Sequence, residues 1–375
     1  MKVHAAPWVL PILAPPLRDG AVALDEHGVV VEVGPLRSLA RLGPVREHAG
    51  VLLPGLVNAH AHVELSHLNE RVPGGDGLVP WIRTLLATRD AAADPAAARR
   101  AAIYLASRGT VAIADVTNAG LVAGALREAG LEVLILDERV AVRGELAPSR
   151  DGAVAVPHST YTCGASTLRA LAARSGGCVR SIHVEEDPAE ATWLLEARGP
   201  FAELFAERGV IPDAPPPGLR PIAWLDALGV LGPGSLLVHL TVADNASLAL
   251  AAQRGATAVL CPRSNRHITG RLPPWDRIRA AGLRVALGSD SLASSPTLDV
   301  LGDVAELARA GADPAWLLEA ATHGGARALA LPHLGALAAG LRPRLIELGD
   351  AARGLSDPLA WVAHEGADAP ARRLA

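Results

Sequence analysis

The chain reads as an α/β protein, a (β/α)8 TIM barrel with a small β-sandwich domain formed from its N- and C-terminal segments. Short apolar runs rich in β-branched residues alternate with alanine- and leucine-rich stretches of helical period. Eight such runs recur, and most end in a polar or histidine-bearing turn. A length of 375 residues suits one large barrel with additions, or two domains, better than one small domain.

From the N-terminus, Ala21–Leu24, a turn at Asp25–Gly28 and Val29–Val33 predict a small antiparallel element. The eight runs follow: Val51–His62, Thr110–Val116, Glu132–Arg139, Ala153–His158, Val179–Val184, Leu236–Thr241, Thr257–Pro262 and Arg284–Asp290. Stretches such as Leu131–Leu136 are nearly all apolar, as strands of a parallel sheet covered on its outer face should be. Between them, Ala97–Arg108 and Ala246–Arg254 carry charge on one side and Ala or Leu on the other, which predicts surface helices. An alanine-rich helix is expected over Ala91–Ala102. After Leu331 the helical period fades, leaving one short apolar run, Arg344–Leu348, and a polar tail, Gly366–Ala375, expected to fray. The expected division is therefore a minor β domain from residues 1–52 plus 330–375 and a barrel over 53–329.

Composition narrows the partners. A net charge of −4 without any basic run argues against nucleic acid or an anionic membrane and leaves a small molecule as the expected partner. A homodimer is compatible with this reading. The three cysteines, Cys163, Cys178 and Cys261, show no paired spacing and read as buried thiols of a reducing compartment, the cytoplasm. Val3–Leu17 is apolar after Lys2, but Pro7, Pro11, Pro15 and Pro16 interrupt it as a signal peptide. Lys2 is the only lysine in the chain.

Chemistry gathers where the strands should end, which in a barrel of this kind is the active-site face. Run one ends in His60-Ala61-His62, and alternate strand residues share a face, so both imidazoles can grip one ion. His-x-His alone is weak evidence among 13 histidines. It gains weight because later runs end at or near His158, His183, His239 and Asp290. A single histidine on an apolar strand is usually a core residue. For five histidines and an aspartate to share one rim by accident is a much poorer explanation. Imidazole nitrogens completed by one carboxylate suit Zn2+ or Fe2+. His4, His27, His48, His323, His333 and His364 lie outside the pattern, while His67 and His267 lie a few residues beyond runs one and seven.

These residues carry a resemblance. VLLPGLVNAHAHVEL (Val51–Leu65) resembles the opening signature of the amidohydrolase superfamily, and SIHVEED, LLVHL, CPRSN and ALGSDSLAS resemble its later signatures in order, over about Gly55 to Ala328. Pro157-His158, Cys261–Asn265 and Gly288–Ser291 are similar to its nucleoside and aminopurine deaminase branch. NAHAHVELS, Trp81-Ile82, PHSTYT, LDALGVL and CPRSN resemble the aminodeoxyfutalosine deaminases of menaquinone synthesis.

The resemblance implies one divalent ion, Zn2+ with Fe2+ or Mn2+ as alternatives, on His60, His62, His183 and Asp290, with His239 orienting the attacking water. A two-metal site bridged by a modified lysine is not expected, because Lys2 precedes the barrel. Glu186 matches the family's proton shuttle. Glu185 departs from the family pattern, and would share His183's face if the strand continued. The end of the strand at the rim favours Glu186, and Asp187 with Glu185 reads as acidic decoration of a helix start. His158 is implied to contact substrate. Glu64 is expected to meet a substrate group or to orient a histidine, Trp81 to stack on a base or pack in a helix core, and Arg263 and Asn265 to bind a carboxylate or to serve a loop. The reaction expected is hydrolytic deamination of an adenine-bearing nucleoside. The alternatives are other deaminations (S-adenosylhomocysteine, methylthioadenosine, adenosine), a chlorohydrolase or cyclic amidohydrolase sharing the site, and, from another class, a non-enzymatic barrel scaffold.

Overall fold

The computed structural model describes residues 1–374 apart from 90–93, 119, 121, 141–149, 151, 176–178 and 211–215. The expected thiol Cys178 and the start of the Ala91–Ala102 helix lie outside the described residues. Cys163 and Cys261 are buried, as expected.

Eight parallel strands carry the molecule: β1 (Leu56–Ala61), β2 (Thr110–Thr117), β3 (Glu132–Arg139), β4 (Ala153–Pro157), β5 (Arg180–Val184), β6 (Ser235–His239), β7 (Thr257–Leu260) and β8 (Arg284–Leu287). Each corresponds to one apolar run of the sequence. They form two four-stranded sheets, β1-β2-β3-β4 and β5-β6-β7-β8, rather than one continuous ladder. The sheets meet at both edges through single bridges, Ala61 with Asp290 and Ser159 with His183. Alternation decides the packing. Leu237, Leu260 and Leu287 pack outward with helix residues such as Leu248 and Leu301. Their neighbours Val238, Val259 and Ala286 join Val57, Ala59 and Ala114 in a core shared by both sheets. Both faces are thus covered, which is why the runs are apolar throughout.

The first run divides. Pro54 and Gly55 separate Val51–Leu53 from β1, and the shorter piece joins another sheet. That sheet has seven strands drawn from both ends of the chain, in place of the expected sandwich. Lys2–Val9 pairs antiparallel with Leu17–Leu24 and parallel with Val45–Glu47 and Val51–Leu53. Ile346–Leu348 lies antiparallel between Val51–Leu53 and Ala371–Arg373. Within the tail expected to fray, Ala371–Arg373 is therefore a strand. Its anchors are arginines: Arg372 pairs with Glu347, and Arg373 donates to the carbonyls of Thr110, Ala129 and Gly130. A reading that weighed only hydrophobicity had no signal for pairing of this kind.

Several helices have their starts written into the sequence. Asp94, Asp187, Asp244, Asp299, Asp313 and Asp357 each cap a helix N-terminus by accepting a backbone N–H, four of them just before a proline. The helices at Pro95–Ser107 and Asn245–Gln253 match the expected Ala97–Arg108 and Ala246–Arg254 within two residues.

Candidate active site

The carboxyl ends of β1, β5, β6 and β8 bring four imidazoles and a carboxylate together. His60 sits on β1 with no exposed surface, and neither of its ring nitrogens has a hydrogen-bond partner. His62 Nε2 lies 3.3 Å from His183 Nε2. His183 meets the carbonyl of His158 through Nδ1 at 2.7 Å, so Nδ1 carries the proton and Nε2 keeps its lone pair. Donor atoms of His60, His62 and His183 all lie within 4.8 Å of one another. Lone pairs converging on one buried point repel unless a cation sits between them, so this donor set fits a divalent metal ion. Burial first, and then the neighbouring imidazoles, hold His60 and His183 well below the usual histidine range, in the neutral form a metal requires.

Asp290 completes the cluster just past β8. Its Oδ1 lies 3.8 Å from His60 Nε2 and 3.7 Å from His62 Nε2, and its Oδ2 accepts from Ser264 at 2.5 Å and Ser294 at 2.8 Å. Burial acts to raise its pKa, but His62, His239, His60 and the Ser264 hydroxyl together hold it below the ordinary aspartate value. Gly288 makes the approach possible, since a Cβ there would lie 2.8 Å from the Cβ of His60. Asn58 locks the same junction: its Oδ1 accepts from the backbone of Ser289 at 3.2 Å and its Nδ2 donates to the Ser289 hydroxyl at 2.7 Å.

Glu186 and His239 face each other, with Oε1 and Nε2 3.6 Å apart. Asn265 meets the other ring nitrogen of His239 at 3.0 Å and fixes the ring. β5 stops at Val184, and Glu185 takes a left-handed φ of 51° that turns the chain. Glu185 consequently points away, to Ser247 at 2.8 Å and Arg220 at 3.1 Å, while Glu186 lines the cleft above the imidazoles. Burial, with Asp290, Glu190 and Asp187 nearby, pushes the Glu186 carboxyl well above the usual range, which favours its protonated form. Asp187 caps the helix Pro188–Glu196, as its position at a helix start implied.

The cleft above has a volume of about 290 Å³ and is mostly apolar. Trp81, Ile82, Tyr161, Phe201, Phe205 and Ile268 form much of its wall, and Arg89 and Arg208 also line it. A profile of the amidohydrolase family matches residues 51–354. The chain belongs to the amidohydrolase family.

This amidohydrolase is 37% identical over 184 residues to the aminodeoxyfutalosine deaminase of Deinococcus radiodurans, a match covering 46% of the chain and 44% of that protein. The chain thus spans less than half the length of that relative. It is 29% identical over 346 residues to the 5-methylthioadenosine/S-adenosylhomocysteine deaminase of Halobacterium salinarum, covering 83% of the chain and 76% of that protein. A crystal structure of an adenosine deaminase from Xanthomonas campestris with bound zinc superposes with a TM-score of 0.79 at 25% identity, covering 97% of the chain and 88% of its counterpart.

Not every residue expected in this amidohydrolase's site reaches the cleft. His158 and Trp81 line it, and the Trp81 indole donates to the carbonyl of Ala293 at 3.4 Å. Arg263 does not line it. Its guanidinium is committed to Asp303 at 2.8 Å, the carbonyl of Asp299 at 2.7 Å and the Thr297 hydroxyl at 2.8 Å, so it ties a loop rather than a ligand. Asn265 acts on His239, not on the cleft. Glu64 does not share the face of His62, because β1 ends at Ala61 and a 3-10 helix runs from Val63 to Leu68. Its carboxylate accepts from Thr117 at 2.6 Å and the Asn118 backbone at 2.9 Å. His267 bonds the carbonyl of Val72, and His67 that of Glu64; neither lines the cleft. Sequence reading missed Glu138, at the end of β3, which lines the cleft. The run Glu132–Arg139 is expected as a strand, but three charged residues at its end do not reveal which one points inward.

Proposed function

We propose that this amidohydrolase is a metal-dependent hydrolytic deaminase of an adenine-bearing nucleoside, releasing ammonia, with aminodeoxyfutalosine as its substrate and menaquinone synthesis as its setting. The observation that carries the reading is a buried carboxyl group, Glu186, held beside a convergent imidazole cluster at the base of an apolar cleft. His60, His62, His183 and Asp290 would hold one divalent ion, Zn2+ with Fe2+ or Mn2+ as alternatives; when bound, such an ion lowers the pKa of water from about 15.7 toward about 7.

The protein's own groups do the rest. Asp290 accepts a hydrogen bond from the attacking water, and His239, whose Nδ1 takes the Asn265 N–H, presents Nε2–H to the water oxygen, so that together they aim it at the ring carbon. Glu186 gives its proton to the ring nitrogen as water adds, takes one from the added oxygen and delivers it to the departing amine, and regains its own from the remaining O–H as the product carbonyl forms. Proton transfer of this kind contributes roughly 100- to 10,000-fold. Trp81, Tyr161 and Phe201 provide apolar surface on which a base or aryl group can lie. Similarity to the Deinococcus enzyme supports aminodeoxyfutalosine. The longer match to the Halobacterium enzyme supports a second reading, 5-methylthioadenosine or S-adenosylhomocysteine.

We read the two sheets as halves of one barrel, with the terminal sheet as a minor domain whose first part extends to Leu53. A cytoplasmic enzyme, active alone or as a homodimer, fits this role. Purified protein should contain one zinc, iron or manganese per chain. Incubation with aminodeoxyfutalosine, 5-methylthioadenosine, S-adenosylhomocysteine and adenosine should release ammonia, fastest from the first. Ammonia from none of the four, with metal in place, would sink the proposal.

A further inference from the structure

We propose that Glu138 is a specificity-determining residue whose carboxylate accepts a hydrogen bond from a sugar hydroxyl of the substrate. The inference rests on the nucleoside reading above and assigns a role to a group that reading leaves unused. Glu138 ends β3 with its side chain 4% exposed, and it lines the cleft. One oxygen, Oε2, accepts from the Asn118 amide at 3.2 Å, which fixes the carboxylate plane. The other, Oε1, is buried with no hydrogen-bond partner among the described residues. Nδ1 of His183 lies 3.7 Å from it, but that N–H is already given to the carbonyl of His158 at 2.7 Å.

A buried carboxylate oxygen without a donor is costly to keep, and the cost is recovered only when a ligand or water brings an O–H or N–H to it. The cleft around it is largely apolar, so a ligand that fills it displaces water and must itself supply the donor. A base placed with its reacting carbon between Glu186 and the imidazole cluster turns its exocyclic amine toward them. The donors left for Glu138 are the hydroxyls of the sugar. His158 stands beside it, with Nδ1 engaged by Thr162 at 2.8 Å. Donor atoms of Glu138, His158 and His183 also lie within 4.8 Å of one another, as a second cation would need. His183 has no lone pair to spare for it, since Nε2 faces His62 and Nδ1 is protonated toward the His158 carbonyl.

The test pairs deletion of the residue with deletion of the hydroxyl. The nucleoside of the four that reacts fastest, and its 2′- and 3′-deoxy analogues, are assayed with metal-replete wild type, Glu138→Gln and Glu138→Leu, and metal is counted in each. Wild type should lose about 10- to 100-fold in kcat/KM with one of the deoxy analogues, the range of a hydrogen bond to a charged group. Glu138→Leu should lose a similar factor with the hydroxylated substrate and treat both compounds within about twofold, because the coupling and not the overall rate reports the contact. Glu138→Gln keeps the side-chain volume and should fall between, which separates loss of the carboxylate from faulty folding. Discrimination equal in wild type and both variants overturns the role of Glu138 alone. So does a second equivalent of metal that Glu138→Gln releases. Absence of ammonia from every nucleoside overturns the nucleoside reading, and this inference with it.

Discussion

Four non-glycine residues with left-handed backbone, Glu185, His239, Leu240 and Asp290, lie at the carboxyl ends of β5, β6 and β8. Such conformations cost roughly 1–3 kcal/mol each and persist where the surroundings impose them. Here the surroundings are the bonds that aim Glu186, His239 and Asp290 at one point. For Glu186→Gln we expect kcat to fall about 100- to 10,000-fold with bound metal unchanged, measured by ammonia release and metal analysis. The raised pKa of Glu186 sets the sign of the pH effect. The acid works while protonated, so wild-type kcat should decline as pH rises through that pKa, and the Gln variant should lack this alkaline limb. Arg263 gives the opposite expectation. Arg263→Ala strands buried Asp303 and should cost about 3 kcal/mol in a denaturant melt, while KM holds nearly constant.

At the scale of elements, strand positions were legible because burial on both faces demands continuous apolar runs, and the clustered histidines because they interrupt those runs at the rim. Less legible was anything set by a one-residue change of direction. Glu64 was assigned to the cleft on the assumption that β1 continued past His62, and the 3-10 helix removes it. The cleft-lining position of Glu138 and the choice of the loop role for Arg263 were hidden for a related reason: which charged residue at a strand end points inward depends on partners tens of positions away. The terminal sheet contains another such case. His4 Nδ1 meets His48 Nε2 at 3.0 Å, and His48 Nδ1 meets Glu347 at 3.0 Å. Burial, aided by the positive charges of His48, Arg46 and Lys2 when present, lowers His4 to about 4. The unfolded chain takes up this proton near pH 6.5 and the folded chain only near 4, so stability should fall as pH drops through that window. His4→Gln should flatten the dependence in urea melts at pH 4 to 7.

Over the whole molecule, the last residues hold elements far apart in sequence. Arg108 pairs with Asp299 at 2.9 Å and donates to the carbonyls of Gly366, Ala367 and Ala369, while the strand Ala371–Arg373 shields the edge of Ile346–Leu348. Deleting residues 366–375 leaves the Arg108 donors and that edge unpaired. The truncated chain should melt several degrees lower, at roughly 1–3 kcal/mol per stranded buried group, and should aggregate more readily in light scattering. Unchanged melting would show that the terminal strand is ornament rather than a clasp.

The placement of the one lysine in the sequence, Lys2, has a practical side. Lys2 is exposed at the first position of the strand Lys2–Val9. Lysine-directed dyes, cross-linkers and supports would therefore engage these 375 residues at one side chain on the terminal sheet. A surface coated this way would present uniformly tethered enzyme, whose cleft offers imidazole, guanidinium and carboxyl groups but no primary amine to be consumed by the coupling.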